Sequence, residues 1–192
     1  MNNPVHPRPS IRQKYADQTK AAILESAQLL FATRGYTETG VRDIAAEANV
    51  NPALIARYFG SKIALFETAL EASLDAEYFI DAGKENFGAI MAESFCLATK
   101  DQALAVPVLV LAAGDSAARE VALRLMKKHI EQPLIEWFDS EDAAERSAQL
   151  LAIVTGFFTF RLMLPLEAMQ GNTSPQMKQW LSSTLQQIID RQ

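Results

Sequence analysis

Residues 39–62 have the sequence TGVRDIAAEANVNPALIARYFGSK, which predicts two short helices joined by a tight turn. In the first helix the apolar residues recur at the i, i+3, i+4 and i+7 spacing of one helix face and stop at Asn49. Asn49 tolerates the left-handed backbone of a turn, and Val50 can fill the space between the helices. Asn51 and Pro52 suit the N-cap and the first position of a second helix. The pattern predicts a helix-turn-helix, a unit that binds DNA.

The second helix presents a surface that suits the major groove of DNA. Close approach to base edges requires short leading side chains, and the phosphates require positive charge on the flanks. The helix can turn Leu54 or Ile55, together with Tyr58 or Phe59, toward the protein interior. The face left for a partner is small, polar and basic, with Asn51, Ala53, Ala56 and Arg57.

The pattern continues on both sides of this motif. Upstream the chain has Ile23-Leu24-x-x-Ala27-x-x-Leu30-Phe31 followed by Gly35-Tyr36, and downstream it has Lys62-x-x-Leu65-Phe66. With these flanks, residues 15–70 resemble the DNA-binding domain of the TetR family of transcriptional repressors. The resemblance implies an all-α protein of about nine helices. In it a three-helix N-terminal head binds DNA, and a helical C-terminal core binds a ligand and dimerises.

The resemblance also assigns DNA-binding positions within residues 40–59 and at the start of the following helix. Arg42 would reach a phosphate or a base edge, and its fork suits guanine. The remaining recognition and phosphate-binding positions are Asn51, Pro52, Ala53, Leu54, Arg57, Tyr58 and Lys62. Gly40 departs from the capping threonine of many relatives, and Ala56 and Arg57 stand where tyrosines are common. Those phosphate contacts are therefore not carried over, and Arg57 either supplies charge or contacts a different base.

The composition favours helices and argues against several other classes of protein. Of the 192 residues 49% are apolar, yet no segment alternates strictly between apolar and polar residues as a half-buried strand does. The N-terminus lacks the apolar core of a signal peptide, and no apolar run reaches the roughly 18 residues of a membrane span. We therefore expect a cytoplasmic, nucleoid-associated protein. Cys96, the single cysteine, is expected to be core filler rather than a redox sensor.

The charge is distributed unevenly along the chain. Residues 1–65 contain eight Lys or Arg and five Asp or Glu, a net charge of +3. Residues 66–192 contain ten and eighteen, a net charge of −8, which together give the −5 of the whole chain. Basic charge near the motif and acidic charge elsewhere would orient the head toward DNA.

The chain divides into three predicted parts. Residues 1–14 are expected to form a disordered basic arm that either enters the minor groove of DNA or only adds solubility. Residues 15–66 form the head, and residues 67–192 form the core. Besides the two helices of the motif, the predicted helices span about residues 15–33, 62–80, 84–99, 103–113, 116–138, 141–165 and 175–190. Pro107 and Pro133 are expected to kink helices or to start turns.

The helix predicted at residues 141–165 is apolar around most of its circumference and needs cover on two sides. A partner subunit is the simplest second cover. In the TetR family the last two long helices usually pair with their copies as a four-helix bundle. The resemblance therefore assigns this role to about residues 143–165 and 175–189. The candidate interface residues are Leu151, Val154, Phe158, Leu181, Leu185 and Ile188.

An effector pocket is implied by the resemblance alone. The candidate lining residues, for each of which plain core packing is the alternative, are Phe87, Met91, Phe95, His129, Trp137, Phe157 and Arg161. Arg161 lies in an apolar run, where a buried guanidinium needs an anionic ligand or an acid such as Glu136 or Glu167. His129 is a candidate sensor of pH or ligand. The only other histidine is His6, so no metal site is expected.

These features together predict a DNA-binding repressor that binds a palindromic operator as a homodimer and is released by a small-molecule effector. The alternative is an architectural or division-control protein that uses the same head without an effector. Catalysis is not expected, because the sequence has no glycine-rich phosphate loop, no nucleophile with a plausible base and no paired histidines. No cofactor is expected either.

Overall fold

The computed structural model describes residues 11–99, 104–171 and 173–191, and every regular element in this part of the chain is helical. The α-helices are, in chain order, α1 (Ile11–Glu38), α2 (Val41–Glu47), α3 (Pro52–Phe59), α4 (Lys62–Glu71), α5 (Glu77–Ile80), α6 (Phe87–Leu97), α7 (Ala105–Ala112), α8 (Ser116–Met126), α9 (Gln132–Phe138), α10 (Ala143–Phe158) and α11 (Pro175–Asp190). The π-helical turns cover Lys127–Glu131 and Thr159–Met163. The prediction of an all-α fold is confirmed.

Helix α1 begins earlier than predicted. Residues 1–10 of the predicted basic arm lie outside the described residues, whereas residues 11–14 belong to α1. At the other end Gly35 has φ 77° and ψ 174°, a conformation that favours glycine and interrupts the helix just after the predicted end at residue 33. One further helical turn after this kink reaches Glu38. The Thr39 hydroxyl donates to the Gly35 carbonyl at 2.7 Å, which fixes this end of α1 against α2.

Helix α4 is shorter than the predicted span of residues 62–80. It ends at Glu71, and the chain turns before the four-residue α5 begins. In this turn the Asp75 carboxylate accepts a hydrogen bond of 2.8 Å from the Glu77 N–H. Such a local side-chain bond offers the backbone an alternative to the helix. Periodicity could not locate this break, because apolar residues continue at helical spacing beyond it.

The two prolines singled out in the sequence have different effects. Pro107 lies in the first turn of α7, where its missing N–H is not needed. Pro133 is the second residue of α9, and α9 directly follows the π-helical turn Lys127–Glu131. Because proline cannot donate the bond of a regular helix, a widened turn at this point is expected. The predicted helix 116–138 is therefore continuous but locally unwound.

One apolar cluster, here called the head cluster, joins the helix-turn-helix to the core. Its buried residues on α1 to α4 include Ile23, Phe31, Ile44, Ile55 and Phe66. The same cluster continues into α7 and α8 with Val108, Ala112, Ala118 and Leu125. Helices α1 and α4, which flank the helix-turn-helix, therefore pack on two helices of the C-terminal part.

The second apolar cluster, the core cluster, fills the space between α6, α9, α10 and α11. Its fully buried members include Phe87, Met91, Leu134, Leu150, Leu181 and Leu185. Helix α11 packs along α6 so closely that a Cβ at Gly88 would lie 2.1 Å from the Ser182 carbonyl oxygen. The side chain of Gln186 completes this contact by accepting from the Gly88 N–H at 2.8 Å.

Three further structural facts bear on function. Within the described residues, no helix combines the length and the apolar character needed to cross a lipid bilayer. In the same part of the chain, no group of three or more His, Cys, Asp or Glu side chains comes together as a metal site would require. Cys96 is a free thiol that is partly buried against the core cluster.

Candidate nucleic-acid interface and cavity

The turn between α2 and α3 has the geometry that the sequence predicts. Asn49 has φ 51°, the left-handed conformation of the turn, and Asn51 is the N-cap of α3. The Asn51 Oδ1 atom accepts from the Ala53 N–H at 2.9 Å, and Pro52 occupies the first helical position. These local bonds set the angle at which α3 leaves the turn.

Helix α3 is anchored by one residue and exposes its leading side chains. Ile55 is fully buried in the head cluster, whereas Leu54, Tyr58 and Phe59 are half-buried beside it. This arrangement resolves the choice between Leu54 and Ile55 as the inward residue. The solvent-exposed residues of this segment are Asn51, Pro52, Ala53, Ala56 and Arg57.

A small basic cluster surrounds the ring of Tyr58. The Lys20 ammonium of α1 lies 5.5 Å from the ring centroid, and the Arg57 guanidinium lies 5.9 Å from it. These distances allow weak cation–π attraction at an exposed site. Lys20 was not predictable from the motif, because it lies outside the helix-turn-helix and comes close to it only through the packing of α1.

Arg42 and Lys62 occupy different environments. Arg42 is exposed in the first turn of α2. Lys62 is half-buried, and its ammonium lies 4.2 Å above the Tyr36 ring and donates to the Thr37 carbonyl at 3.5 Å. Lys62 therefore also holds α4 against the end of α1, in addition to the phosphate contact predicted for it.

The N-terminus of α2 is capped without a threonine. Gly40 has no side chain to cap the helix, but the Asp43 carboxylate accepts from the Gly40 N–H at 2.8 Å. Asp43 thus supplies the reciprocal half of a capping box.

Helix α4 connects the DNA-binding helices to the core. It begins directly after α3, at the turn of Gly60 and the N-cap Ser61. Near its other end Gln28 of α1 donates to the Ala69 carbonyl at 3.0 Å and to the Ser73 hydroxyl at 2.9 Å. Helix α4 is therefore bonded to α1 close to both of its ends, through Lys62 at the start and through the Ala69 carbonyl near the end.

Ion pairs tie the outer side of α4 to α8 and to the following π-helical turn. Glu67 contacts Arg124 at 3.0 Å, and Glu71 contacts His129 at 2.8 Å and Lys128 at 3.3 Å. Hydrogen bonds from Lys128 and then His129 hold the pKa of the Glu71 carboxyl below its ordinary value. The Glu71 carboxylate therefore keeps its charge, and its ion pair with Lys128, until the pH falls through this lowered pKa.

A cavity of about 540 Å³ lies between the end of α4 and the helices of the core. Its wall includes the turn Ser73–Leu74–Asp75, and α5 contributes Tyr78 and Phe79. Helices α6, α7, α8 and α10, with the first π-helical turn, close the other sides. Most of the lining is apolar or aromatic, as is typical of sites for small organic molecules.

Of the seven predicted pocket residues, only Phe95 lines this cavity. Phe87 and Met91 are buried in the core cluster, and Trp137 packs against Phe87 with ring centroids 5.5 Å apart. Phe157 lies behind Phe95 in the same cluster. For these four residues the structure therefore favours the alternative of plain core packing. The sequence of a core helix does not distinguish an aromatic residue that lines a cavity from one that fills the core. His129 lies outside the lining of this cavity and contacts Glu71.

Arg161 lies outside the main cavity and does not bind an acid as predicted. Its guanidinium donates to the Cys96 carbonyl at 2.6 Å, the Met169 carbonyl at 2.9 Å and the Thr173 hydroxyl at 2.9 Å. No ion pair of Arg161 with Glu136 or Glu167 is found in the described part of the chain. Cys96 lies in the last turn of α6, where carbonyls lack helical partners and attract cations. Arg161 therefore caps α6, and it also lines a smaller cavity of about 370 Å³.

The predicted dimer residues are already covered within the single chain. Five of them, Val154, Phe158, Leu181, Leu185 and Ile188, are buried in the chain's own core cluster, and the sixth, Leu151, lines the cavity. The outward faces of the same two helices carry polar side chains such as Gln179 and Gln187 and, among them, several small and aromatic residues. They are Ala148, Ala152, Gly156 and Phe160 near α10, and Trp180 and Ser183 on α11.

Two family models match this chain. The model described as "Bacterial regulatory proteins, tetR family" matches residues 23–69, which include α2, α3 and most of α4. The model described as "Tetracyclin repressor-like, C-terminal domain" matches residues 85–189, more than half of the chain. Together the two models span the helix-turn-helix and most of the cavity wall.

Individual proteins match this chain either in sequence, over a short segment, or in structure, over most of the chain. An HTH-type transcriptional repressor of Mycobacterium tuberculosis is 46% identical over 55 residues, which are 29% of this chain and 29% of that protein. The sequence match thus spans under a third of that relative's length. A transcriptional regulator from Aquifex aeolicus VF5 has a similar structure, with a TM-score of 0.66 and 19% identity over 88% of this chain and 99% of that chain.

A further solved structure is that of the multidrug binding protein EbrR in complex with ethidium. It has a TM-score of 0.61 and 17% identity, and the match covers 88% of this chain and 98% of that chain. At this level of identity the two structural matches show the fold alone.

Proposed function

The chain belongs to the TetR family of bacterial regulatory proteins, and on this premise we propose that it is a homodimeric repressor released from a palindromic operator by a small-molecule effector. Membership makes it a transcriptional regulator with a DNA-binding helix-turn-helix. The dimer, the operator and the effector are the parts that the proposal adds. Repression is supported by the name of the relative from Mycobacterium tuberculosis.

The main support for control by an effector is the position of the cavity relative to α4. The turn Ser73–Leu74–Asp75 forms part of the cavity wall and begins two residues after α4 ends. At its other end α4 is separated by only two residues, Gly60 and Ser61, from α3, the helix that would enter the major groove. A molecule that moves this wall would therefore move the helix that carries the DNA-binding face. A ligand that binds one arrangement better shifts the equilibrium between arrangements by its differential affinity.

The cavity also argues against the architectural alternative. A protein that binds DNA without an effector has no need of a large apolar cavity beside the connecting helix, because cavities reduce stability. EbrR, which has a similar fold, was solved with ethidium bound. The effector-gated function is therefore the better supported of the two.

The proposal is tested by selecting binding sites for the full-length protein from random DNA duplexes and by mapping its binding genome-wide in its host. We expect one or a few palindromes whose half-sites lie about one helical turn, roughly 34 Å, apart. Many dispersed sites would favour the architectural alternative. Monomeric binding to asymmetric sites would contradict the proposed dimer.

Two DNA-contact variants should behave differently on the selected operator. Arg42→Ala is expected to relax sequence preference at a cost of about 1–3 kcal/mol, because an exposed guanidinium can contact a base edge. Lys62→Ala is expected to weaken operator and scrambled DNA alike, because the contact proposed for Lys62 is to a phosphate, and phosphate contacts carry no sequence information. Fluorescence anisotropy at one fixed salt concentration measures both affinities.

Lys127→Ala is the control for these variants, because Lys127 is exposed on the π-helical turn of the core. Its affinity for both DNAs should equal that of the wild type. Thermal unfolding is measured for Lys62→Ala as well, since this lysine also contacts Tyr36. Equal loss of discrimination in Arg42→Ala and Lys62→Ala would overturn the two assignments.

The dimer is proposed to form through the outward faces of α10 and α11. Small residues such as Ala148, Ala152 and Gly156 allow a second helix to approach closely, and the exposed rings of Phe160 and Trp180 offer apolar area to bury. Aromatic side chains are enriched in protein–protein interfaces, so exposed rings on these helices support an interface there. The family resemblance points to the same two helices.

Ala152→Arg is expected to convert the dimer into a monomer, because a long charged side chain would be buried without a partner at the centre of this face. Operator affinity should fall with it, since two half-sites can no longer be bound together. Ala117→Arg, an exposed alanine on α8, is the matched control and should stay dimeric. Analytical ultracentrifugation measures both. A dimeric Ala152→Arg variant would place the interface elsewhere.

A further inference from the structure

The cavity described above carries only one kind of charge among its described lining residues. Asp75 is the charged side chain there, and neither lysine, arginine nor histidine belongs to that set. Four hydroxyl groups, those of Ser73, Tyr78, Ser94 and Thr155, are the other polar side chains of the wall. The charge that a ligand meets in this wall is therefore negative.

Most of the hydroxyl groups are already engaged within the protein. Ser73 accepts from Gln28 and donates to the Ala69 carbonyl at 3.0 Å. The hydroxyls of Tyr78 and Ser94 hydrogen-bond to each other. A ligand would therefore gain little from hydrogen bonds to these groups, and most of its affinity has to come from apolar and aromatic contact.

The aromatic rings of the cavity wall favour a cationic ligand, as the Asp75 carboxylate does. Tyr78, Phe79, Phe95 and Phe158 all line the cavity, and their ring faces carry partial negative charge. A cation is attracted to such faces, whereas an anion is not. The net charge of −8 on residues 66–192 adds a field of the same sign.

Asp75 is held in place by the backbone. One oxygen of its carboxylate accepts from the Glu77 N–H at 2.8 Å, which fixes the side chain at the start of α5. An isosteric asparagine retains an oxygen acceptor for this bond and removes only the charge. The charge can therefore be tested apart from the turn.

We propose that the cavity binds an apolar organic cation, with the aromatic wall around its body and the Asp75 carboxylate facing its charge, and that it discriminates against apolar anions of the same size. This inference rests on the proposed function, because it assigns a chemical class to the effector. It also gives the effector a direct contact to the turn that follows α4.

Tetraphenylphosphonium and tetraphenylborate provide the test, because they have nearly the same size and shape and opposite charges. Isothermal titration of the full-length protein with each ion measures the preference without DNA. We expect tetraphenylphosphonium to bind at least about tenfold more tightly than tetraphenylborate. Asp75→Asn should weaken tetraphenylphosphonium binding by about tenfold and leave the unfolding midpoint nearly unchanged.

Asp81→Asn is the matched control, since Asp81 is an exposed acid just after α5 and lies outside the cavity wall. Its binding of both ions should equal that of the wild type. Equal binding of the two ions, a preference for the borate, no binding of either, or an unchanged affinity in Asp75→Asn would each overturn the inference.

The same titrations repeated on the protein–operator complex separate this inference from the proposed function. Release of DNA by the phosphonium but not by the borate would support both. A protein that binds a discrete operator yet shows no preference for the cation would leave the repressor intact and refute only the ligand class. A protein without any discrete operator would refute the repressor, whatever the ions do.

Discussion

Gly88→Ala is expected to lower the free energy of unfolding by about 3 kcal/mol, although alanine normally favours a helix. The added Cβ would lie 2.1 Å from the Ser182 carbonyl oxygen and 2.9 Å from the Gln186 backbone nitrogen. Both atoms belong to the backbone of α11, so no flexible side chain can move away. Relief would require α6 and α11 to separate and would break the hydrogen bond from the Gly88 N–H to Gln186. Urea unfolding followed by circular dichroism measures the change.

Gly114→Ala is the control for this prediction. A Cβ at Gly114 would meet only the Leu111 carbonyl oxygen at 3.7 Å, an ordinary contact, and the residue is exposed. We expect its stability to stay within about 0.5 kcal/mol of the wild type. Similar losses in the two variants would show that the close packing of α6 against α11 is not the cause.

Arg146→Met is expected to destabilise the protein by about 2–4 kcal/mol, because it removes one side chain that satisfies several buried groups. Arg146 is only 5% exposed, and its guanidinium donates to the carbonyls of Ile188 at 2.9 Å and Ile189 at 2.6 Å. It also contacts Asp142 at 3.6 Å. The two carbonyls belong to the last turn of α11 and would be left without a donor. Thermal unfolding at neutral pH measures the loss.

Arg191→Met separates this effect from the loss of any arginine near the same end of α11. Arg191 contacts Glu145 at 3.4 Å, but both side chains are at least half exposed. Exposed ion pairs contribute little, so a change below about 0.5–1 kcal/mol is expected. If Arg146→Met is no worse than Arg191→Met, the capping role of Arg146 is wrong.

The local part of the fold was predictable from the sequence, because its signals lie within a few residues of the structure that they determine. Asn49, Asn51 and Pro52 specify a turn and a cap through their own backbone preferences, and the structure has both. The family, the all-α class and the approximate positions of the core helices were also correct. The break after Glu71 was missed, because a single Asx bond from Asp75 competes with an otherwise helical pattern.

The cavity and the outward surface were not predictable in the same way. The apolar stripe of α11 contains Leu181 and Leu185, and it signals burial without saying whether the cover is α6 or a second copy. Because the chain itself buries the apolar stripe of α11, the more polar face of this helix is exposed to solvent. Trp180 is the large apolar residue on that exposed face. Arg161 shows the same limit for charge, because the sequence could suggest acids as partners but not the carbonyls of a distant helix end.

The head cluster has a consequence for how such regulators can be recombined. Val108, Ala112, Ala118 and Leu125 complete the interior of the DNA-binding helices, although they lie far along the chain. A fragment that ends at residue 66 would keep the exposed face of α3. It would lose α7 and α8, so the apolar residues that they cover would be exposed to solvent. A chimera that exchanges DNA specificity between two such proteins should therefore keep the surfaces of α7 and α8 matched to α1 and α4. The transplantable unit is this discontinuous set of helices, not the N-terminal segment alone.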